Sequence, residues 1–133
     1  MVFLDTNILL YAFDLHPDSL TKRTISRELL LDRPHLSVQA LTEFGAVRRR
    51  KCGDAPGEIA EKVGFLLGWC TVHDLAATTL LKALELSERY RLSHYDSLMV
   101  ANALQRGGEV LLSEDLHSGL LVEGRLRVLN PFV

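Results

Sequence analysis

The chain of 133 residues, 47% of them hydrophobic and 24% charged, has enough apolar side chains to fold around a core, which excludes a disordered protein. Its formal net charge of −2 excludes a strongly basic nucleic-acid-binding protein, so any contact with nucleic acid must come from a local patch. No apolar run approaches the roughly 18–20 residues that span a bilayer, and Asp5 interrupts the first apolar run as it would not in a signal peptide. Cys52 and Cys70 are too far apart for a CxxC site. We therefore expect a cytoplasmic protein with reduced thiols.

The first predicted element is a short buried strand that ends at an acid. Residues 2–4 are apolar, Asp5 follows them, and Thr6 is suited to N-cap the helix predicted over residues 8–13. Because open α/β sheets place their chemistry at the carboxyl ends of strands, Asp5 is a candidate site residue. The alternative is that Asp5 and Thr6 only cap the helix.

A second helix and a second strand lead to another acid. Apolar spacing predicts an amphipathic helix over residues 19–32, which Pro34 ends, and then a short strand over residues 35–38. The next helix begins at residue 39, and Glu43 borders its apolar stripe. Glu43 is therefore either partly shielded and directed into a cleft or an ordinary acid on the helix surface.

A run of four bases, residues 48–51, closes that helix, and Gly53 follows it. Bases in the last turn suit the helix dipole, and glycine suits the helix end. The same cations, Arg48 and Arg49 among them, could instead hold a phosphate backbone near the carboxylates. The sequence does not decide between these two interpretations.

The rest of the chain continues to alternate helices and strands, which predicts one α/β domain with a mainly parallel sheet and helices on both faces. The predicted helices cover residues 56–69, 75–91 and 93–104, and the predicted strands cover residues 70–74, 109–112 and 126–129.

Four acids occupy positions that a sheet of this type brings together. Asp5 and Asp115 follow apolar strands, Asp96 lies in the first turn of a helix, and Glu43 lies in the helix after the second strand. Loops that follow parallel strands open on the same edge of the sheet. Each acid also has a simpler explanation. Asp96 completes a capping-box pattern with Ser93 and could only cap its helix, and Asp115 could be an exposed loop acid.

Carboxylates gathered at one place repel each other by about 4 kcal/mol per pair at 4 Å and an effective dielectric constant near 20. A shared site therefore needs protons or cations, and oxygen ligands favour hard ions such as Mg²⁺ or Mn²⁺. Thr6, Asn7 and Ser113 add neutral polar groups for ligand orientation or substrate contact. Such a site suits metal-activated hydrolysis of a phosphodiester.

The histidines do not suggest a zinc site, because no HxH or HxxxH spacing occurs among them. His94 and His117 stand near proposed carboxylates, where they either touch a substrate or are incidental. The five histidines are His16, His35, His73, His94 and His117.

With these acids in place, the chain resembles the PIN-domain nucleases, especially the VapC-type toxins of toxin–antitoxin pairs. Four stretches in the expected order carry the resemblance and span nearly the whole chain. They are residues 4–11 (Leu-Asp-Thr-Asn-Ile-Leu-Leu-Tyr), 41–44 (Leu-Thr-Glu-Phe), 95–103 (Tyr-Asp-Ser-Leu-Met-Val-Ala-Asn-Ala) and 112–116 (Leu-Ser-Glu-Asp-Leu).

The resemblance implies a three-layer α/β/α sandwich with strand order 3-2-1-4-5. It also implies a Mg²⁺- or Mn²⁺-dependent endoribonuclease in which Asp5, Glu43, Asp96 and Asp115 hold the metal and the products carry a 5′-phosphate and a 3′-hydroxyl. Ser113 stands where many members of the family carry threonine, and the hydroxyl is retained. The family further implies a homodimer, silenced by a VapB-like antitoxin in a larger hetero-oligomer.

Two other functions remain open on the sequence. One is a phosphotransferase or phosphatase with Asp5 as nucleophile, although such enzymes usually carry a second aspartate where this chain has Asn7. The other is a non-catalytic module that keeps the fold only to bind a partner.

Overall fold

A computed structural model describes residues 1–133 as short strands alternating with helices. The strands are β1 (Val2–Leu4), β2 (His35–Ser37), β3 (Thr71–His73), β4 (Val110–Leu112), β5 (Leu121–Val122) and β6 (Leu126–Leu129). The helices are α1 (Thr6–Ala12), α2 (Leu20–Leu31), α3 (Val38–Cys52), α4 (Pro56–Trp69), α5 (Thr79–Tyr90) and α6 (His94–Gln105), with one 3-10 turn at Pro17–Ser19.

The strands form one sheet in the order β3-β2-β1-β4-β6-β5, in which every neighbouring pair is parallel except β5 with β6. The predicted α/β class and the order 3-2-1-4-5 are confirmed, with β6 as the fifth predicted strand. The sequence did not predict β5, because a strand of two residues is too short to show an alternating pattern. Glu123 and Gly124 both have positive φ, which turns β5 back onto β6.

The direction in which successive strands are added to the sheet reverses between β1 and β4. From β1 the chain moves outward to β2 and then to β3, and α1 to α4 pack on one another along that path. After α5 and α6, which pack together, the chain returns to the other side of β1 as β4. Right-handed crossovers put these two helix groups on opposite faces, and a ligand crevice opens at such a switch point.

The register of β1 and β4 places two polar residues side by side at this point. Leu4 pairs with Leu112, and the Asp5 amide donates to the Leu112 carbonyl at 2.9 Å. The next residues along the two strands are Asp5 and Ser113, so both emerge at the carboxyl edge of the sheet.

The core lies between the sheet and the helices. Helix α6 is buried at eight consecutive positions from Ser97 to Leu104, as expected of a helix that is apolar on nearly all sides. Because these buried residues hold the helix in place, they also set the position of its first turn, which contains Asp96. The largest side chains in the core include Phe3, Leu4, Ile8, Leu9, Leu36, Phe44, Leu66 and Leu111.

Two predicted helix starts differ from the structure by more than one residue. Asp5, rather than Thr6, is the N-cap of α1, and its carboxylate accepts from the Thr6 amide at 2.7 Å, so the helix begins two residues earlier than predicted. Helix α5 begins at Thr79 instead of residue 75, because Ala76, Ala77 and Thr78 form turns whose carbonyls accept from the first helical amides. No helix combines the length and the apolar character that crossing a bilayer requires.

Gly108 lies where the turn after α6 approaches β1, and we expect its replacement by alanine to destabilise the fold. An added Cβ would stand 2.8 Å from the Ala103 carbonyl oxygen and 3.0 Å from Phe3 Cδ2. Relief of such overlap costs about 1–3 kcal/mol, measurable by urea denaturation. Gly64→Ala in α4 is the matched control, since its Cβ meets nothing within 4 Å, and it should raise stability by up to about 1 kcal/mol. Equal effects of the two substitutions would contradict this packing argument.

Candidate active site

Asp5 is the centre of a polar cluster at the switch point. The residue is only 6% exposed, and both oxygens of its carboxylate accept hydrogen bonds. Oδ1 accepts from the Thr6 amide, and Oδ2 accepts from Ser113 Oγ at 2.7 Å. The hydrogen bonds from Thr6 and Ser113 thus fix the carboxylate in one orientation. Capping α1 is therefore compatible with the prediction that Asp5 is a site residue.

Asn7 and Ser113 connect Asp5 to Asp115. Asn7 Nδ2 donates to Asp115 Oδ2 at 3.1 Å and lies 3.4 Å from both Asp5 Oδ2 and Ser113 Oγ. Ser113 Oγ also accepts from the Asp115 amide at 3.2 Å, which shapes the loop after β4. Asp115 is exposed, so its carboxylate is accessible from solvent.

Glu43 approaches Asp5 from helix α3 and is held by two neutral donors. Thr6 Oγ1 donates to Glu43 Oε2 at 2.8 Å, and Gln39 Nε2 donates to Glu43 Oε1 at 2.9 Å. The Glu43 side chain is therefore directed toward the start of α1 and is not an acid of the open helix surface.

Asp96 stands in the first turn of α6, after the N-cap Ser93. Half of the predicted capping box is present, because the Asp96 amide donates to Ser93 Oγ at 3.3 Å. The Asp96 carboxylate itself makes no hydrogen bond within the chain. It is close enough to Asp5 for its charge to act on that carboxyl.

The pKa of Asp5 is raised mainly by burial, and neighbouring acids add a smaller contribution. Burial raises it from the usual value of 3.8 to about 6, against hydrogen bonds from Ser113 and Thr6 that lower it. The charges of Asp96 and Glu43 raise it further. Three of the four predicted acids therefore share one electrostatic environment, and Asn7 links the fourth to it.

No lysine or arginine forms an ion pair with Asp5, Glu43, Asp96 or Asp115. The neighbouring acid Glu114 is different, since Lys22 and Tyr11 bind its carboxylate at 2.9 Å and 3.0 Å. The structure thus distinguishes Asp115, whose charge is uncompensated, from Glu114.

A cleft of about 380 Å³ borders this acid cluster. Acids and bases line it together: Glu43 and Asp115 on one side, and Arg50 and Lys51 from the last turns of α3. It adjoins a second cleft of about 320 Å³, which shares Asn7, Lys51 and Asp115 and continues past Tyr11, Cys52 and Glu114.

The two bases singled out from the sequence, Arg48 and Arg49, have different surroundings. Arg48 is bound by Asp54 through two of its nitrogens, at 2.8 Å and 3.2 Å, and its side chain is only 13% exposed. Its guanidinium thus joins α3 to the start of α4. Arg49 is exposed but does not line the cleft. The cleft cations are Arg50 and Lys51.

No histidine side chain forms a hydrogen bond with Asp5, Glu43, Asp96 or Asp115. His94 and His117 are exposed, and the His94 ring packs against Tyr95. His35 and His73, far apart in sequence, meet on β2 and β3 with Nδ1 of one 2.8 Å from Nε2 of the other. Burial lowers the pKa of both. Cys52 and Cys70 are free thiols.

The donor set of the cluster fits a hard divalent cation. All available ligands are carboxylate, hydroxyl or amide oxygens, and the charge on the carboxylates has no protein cation to neutralise it. No group of three or more His, Cys, Asp or Glu side chains is already arranged to hold a metal ion. The carboxylates of Asp5, Glu43 and Asp115 are instead held by Thr6, Gln39, Asn7 and Ser113.

One site residue, Gln39, was not predicted. It is buried, it lies one helical turn before Glu43, and its amide also donates to the Tyr95 carbonyl at 2.9 Å. The available signal was a polar residue on the same helix face as Glu43, four positions before it. That pattern alone does not separate a site residue from a surface glutamine.

Fold and site together define an α/β protein with a carboxylate cluster at the topological switch point of a parallel sheet. The PIN domain family model matches residues 2–117, and the chain therefore belongs to the PIN-domain family. A comparison with curated proteins gave no significant match.

Solved structures share the fold at low sequence identity. The toxin VapC20 of Mycobacterium tuberculosis matches with TM-score 0.70 and 18% identity, over 86% of this chain and 92% of that one. A toxin–antitoxin complex from Klebsiella pneumoniae gives TM-score 0.69 and 16% identity over 98% of both chains. DNA-bound VapBC from Salmonella typhimurium gives TM-score 0.66 and 19% identity, over 98% and 97%.

Proposed function

We propose that the chain is a Mg²⁺- or Mn²⁺-dependent endoribonuclease. The observation that supports this most directly is the gathering of Asp5, Glu43 and Asp96, with Asp115 joined through Asn7, at the switch point of a PIN-family sheet without a compensating cation. A chain that keeps four repelling acids together gains from them only when something positive binds there.

Asp5, Glu43, Asp96 and Asp115 would hold the cation. When bound, the cation would polarise a water for attack on phosphorus and neutralise charge on the phosphate. The pKa of Asp5 is about 6, so this buried carboxyl is mostly ionised at neutral pH. Its burial keeps that charge poorly solvated, which favours a cation over water as its partner.

The neutral residues orient the acids. Ser113 and Asn7 direct Asp5 and Asp115, and Thr6 directs Glu43, through the hydrogen bonds described above. Since these donors bind carboxylate oxygens on one side, the other lone pairs of the same oxygens stay available for a cation or a substrate.

Arg50 and Lys51 supply the positive side of the cleft. They line the same cleft as Glu43 and Asp115, which suits a polyanionic substrate. The earlier prediction that Arg48 and Arg49 contact RNA stays untested, and the engagement of Arg48 by Asp54 makes Arg50 and Lys51 the better candidates.

We further propose that the chain is the toxin of a toxin–antitoxin pair, that it forms a homodimer, and that a VapB-like antitoxin covers its cleft. The support is the shared fold with a toxin described as cleaving the sarcin–ricin loop and with toxin–antitoxin complexes, one of them bound to DNA. A short antitoxin reading frame immediately upstream of the gene would agree with this role.

The geometry does not favour the phosphotransferase alternative. Asp5 is only 6% exposed to an incoming phosphorus, and Asn7 stands where such enzymes usually carry a second aspartate. Trapping of a phospho-aspartate at Asp5 would revive that alternative.

The nuclease proposal predicts cleavage of RNA by the purified chain with Mg²⁺ or Mn²⁺ and none after EDTA. End-labelled single-stranded RNA and total RNA serve as substrates, and sequencing of the fragments gives the cut sites. We expect fragments with 5′-phosphate and 3′-hydroxyl ends. Cleavage that continues in EDTA would contradict the proposal, and metal binding without cleavage of any RNA would favour the non-catalytic binding module.

A further inference from the structure

The side-chain amide of Gln39 lies between two of the acid-bearing elements. Its Nε2 donates to Glu43 Oε1 and to the Tyr95 carbonyl, each at 2.9 Å. Tyr95 directly precedes Asp96, so one amide group joins the Glu43 carboxylate to the first turn of α6. These residues are far apart in sequence and meet only through the fold.

The orientation of this amide is determined by its partners. Both neighbours are acceptors, so only the nitrogen end of Gln39 can face them, and the opposite assignment would oppose oxygen to oxygen. The remaining Oε1 is buried without a hydrogen-bond partner. An unpaired buried carbonyl costs free energy, which offsets part of what the two hydrogen bonds of Gln39 contribute to stability.

The two hydrogen bonds donated by Gln39 oppose electrostatic repulsion among the acids. Glu43 and Asp96 both raise the pKa of Asp5, so the three charges repel one another when ionised. A free Glu43 side chain would rotate toward the cleft and water. Thr6 holds its Oε2 and Gln39 holds its Oε1, and only Gln39 also contacts the Asp96 turn.

We propose that Gln39 is a positioning residue that holds Glu43 and the Asp96 turn at the spacing a shared divalent cation requires. The inference rests on the nuclease function proposed above and extends it to a residue outside the four acids. Gln39 does not contact the cation or the RNA; it acts through Glu43 and the backbone of Tyr95.

The test compares wild-type protein, Gln39→Met and the control Thr42→Val at pH 7.5. Thr42 precedes Glu43 on the same helix but is exposed, and its hydroxyl bonds only to the Val38 carbonyl of α3. Mn²⁺ affinity is measured by electron paramagnetic resonance, apo stability by urea denaturation, and kcat and KM with a labelled RNA.

For Gln39→Met we expect Mn²⁺ binding weakened about 10–100-fold, as for other residues that orient metal ligands. The kcat should fall while the KM for RNA changes by less than about twofold. The urea midpoint should change little, because the substitution removes the unpaired carbonyl together with two partly buried hydrogen bonds. Thr42→Val should match the wild type. Gln39→Asn, which keeps the amide but is too short to reach both acceptors, serves as the second variant and should show the same loss.

Mn²⁺ affinity within about twofold of wild type in both Gln39 variants would overturn the inference and leave the nuclease function intact. A loss of affinity that only follows a loss of folded protein would also overturn it. A wild-type chain that neither binds Mn²⁺ nor cleaves RNA would overturn the nuclease function, and this inference with it.

Discussion

Asp5→Asn should abolish RNA cleavage and at the same time make the metal-free protein more stable. Residues that merely orient metal ligands typically contribute 10–100-fold, so loss of a central ligand should lower the cleavage rate by more than about 100-fold. The gain in stability follows from the burial that raises the pKa of this carboxyl to about 6.

The sign of the stability effect follows from proton linkage. The pKa of Asp5 is higher in the folded chain than its usual value of 3.8, so the folded state binds more protons between these two values. The Asp5 contribution is therefore most favourable below pH 4 and is lost as the pH rises to about 6. Above that pH the ionised carboxylate costs about 3 kcal/mol, part of which an amide removes.

We expect Asp5→Asn to raise Tm at pH 7.5 by about 3–10 °C, less than the full penalty, because the amide no longer accepts at both positions. The Tm difference should shrink toward pH 4. Asp32→Asn, an exposed aspartate at the end of α2, is the control and should alter neither Tm nor cleavage. Full cleavage by Asp5→Asn would exclude Asp5 from the reaction, and a lowered Tm would contradict the charge argument.

Divalent cations should stabilise the wild-type chain, and only at a pH where Asp5 is ionised. A ligand that binds only the folded state at 100 times its Kd stabilises by about 2.7 kcal/mol. At pH 7.5 we therefore expect saturating Mg²⁺ or Mn²⁺ to raise Tm by several degrees. At pH 4, about two units below the pKa of Asp5, only about 1% of these carboxyls are ionised, so the apparent affinity falls about 100-fold and the same additions should have little effect.

Two controls separate this effect from general salt screening. Sodium chloride at matched ionic strength screens exposed charges but cannot occupy a site that needs several oxygen ligands. The Asp5→Asn protein, already more stable without metal, should gain little on adding Mg²⁺. Equal stabilisation by the two salts, or equal stabilisation at both pH values, would show that the acids do not form a cation site.

The edge on which the acids meet could be predicted because it follows from strand ends. Asp5 and Ser113 each follow three or four apolar residues, and parallel strands place their carboxyl ends on one edge of the sheet. That β1 and β4 are neighbours was implied only by the family resemblance, and their contact at 2.7 Å follows from that pairing. Asp96 and Glu43 could be placed only approximately. Their distance from Asp5 depends on how α3 and α6 pack, which periodicity does not encode.

Helical geometry determines which of the four bases at residues 48–51 face the cleft. At 100° per residue, Arg50 and Lys51 return to the face of Glu43, seven and eight positions after it, whereas Arg48 and Arg49 do not. Arg50 and Lys51 therefore line the cleft beside Glu43, whereas Arg48 lines only the adjoining cleft and Arg49 lines neither. The pairing of Arg48 with Asp54 belongs to the contact between α3 and α4, which no local pattern predicts.

Gln39 and β5 were missed for different physical reasons. Two residues give β5 no period to detect. Gln39 is a polar residue whose partners, Glu43 and the Tyr95 carbonyl, come together only when α6 docks beside α3. The role of Thr6 changed as well, since the residue expected to cap α1 instead directs Glu43.

The most direct test of the cation-dependent site is to measure RNA cleavage and Mn²⁺ occupancy in the same solutions. Free Mn²⁺ is varied at pH 7.5, occupancy is read by electron paramagnetic resonance, and the cleavage rate of a labelled RNA is followed in parallel, with wild-type and Asp5→Asn protein. We predict that rate and occupancy rise together with one half-saturation point, and that both are lost in Asp5→Asn. Undiminished Mn²⁺ binding by Asp5→Asn, or a cleavage rate independent of occupancy, would show that RNA cleavage does not depend on a cation bound at these acids.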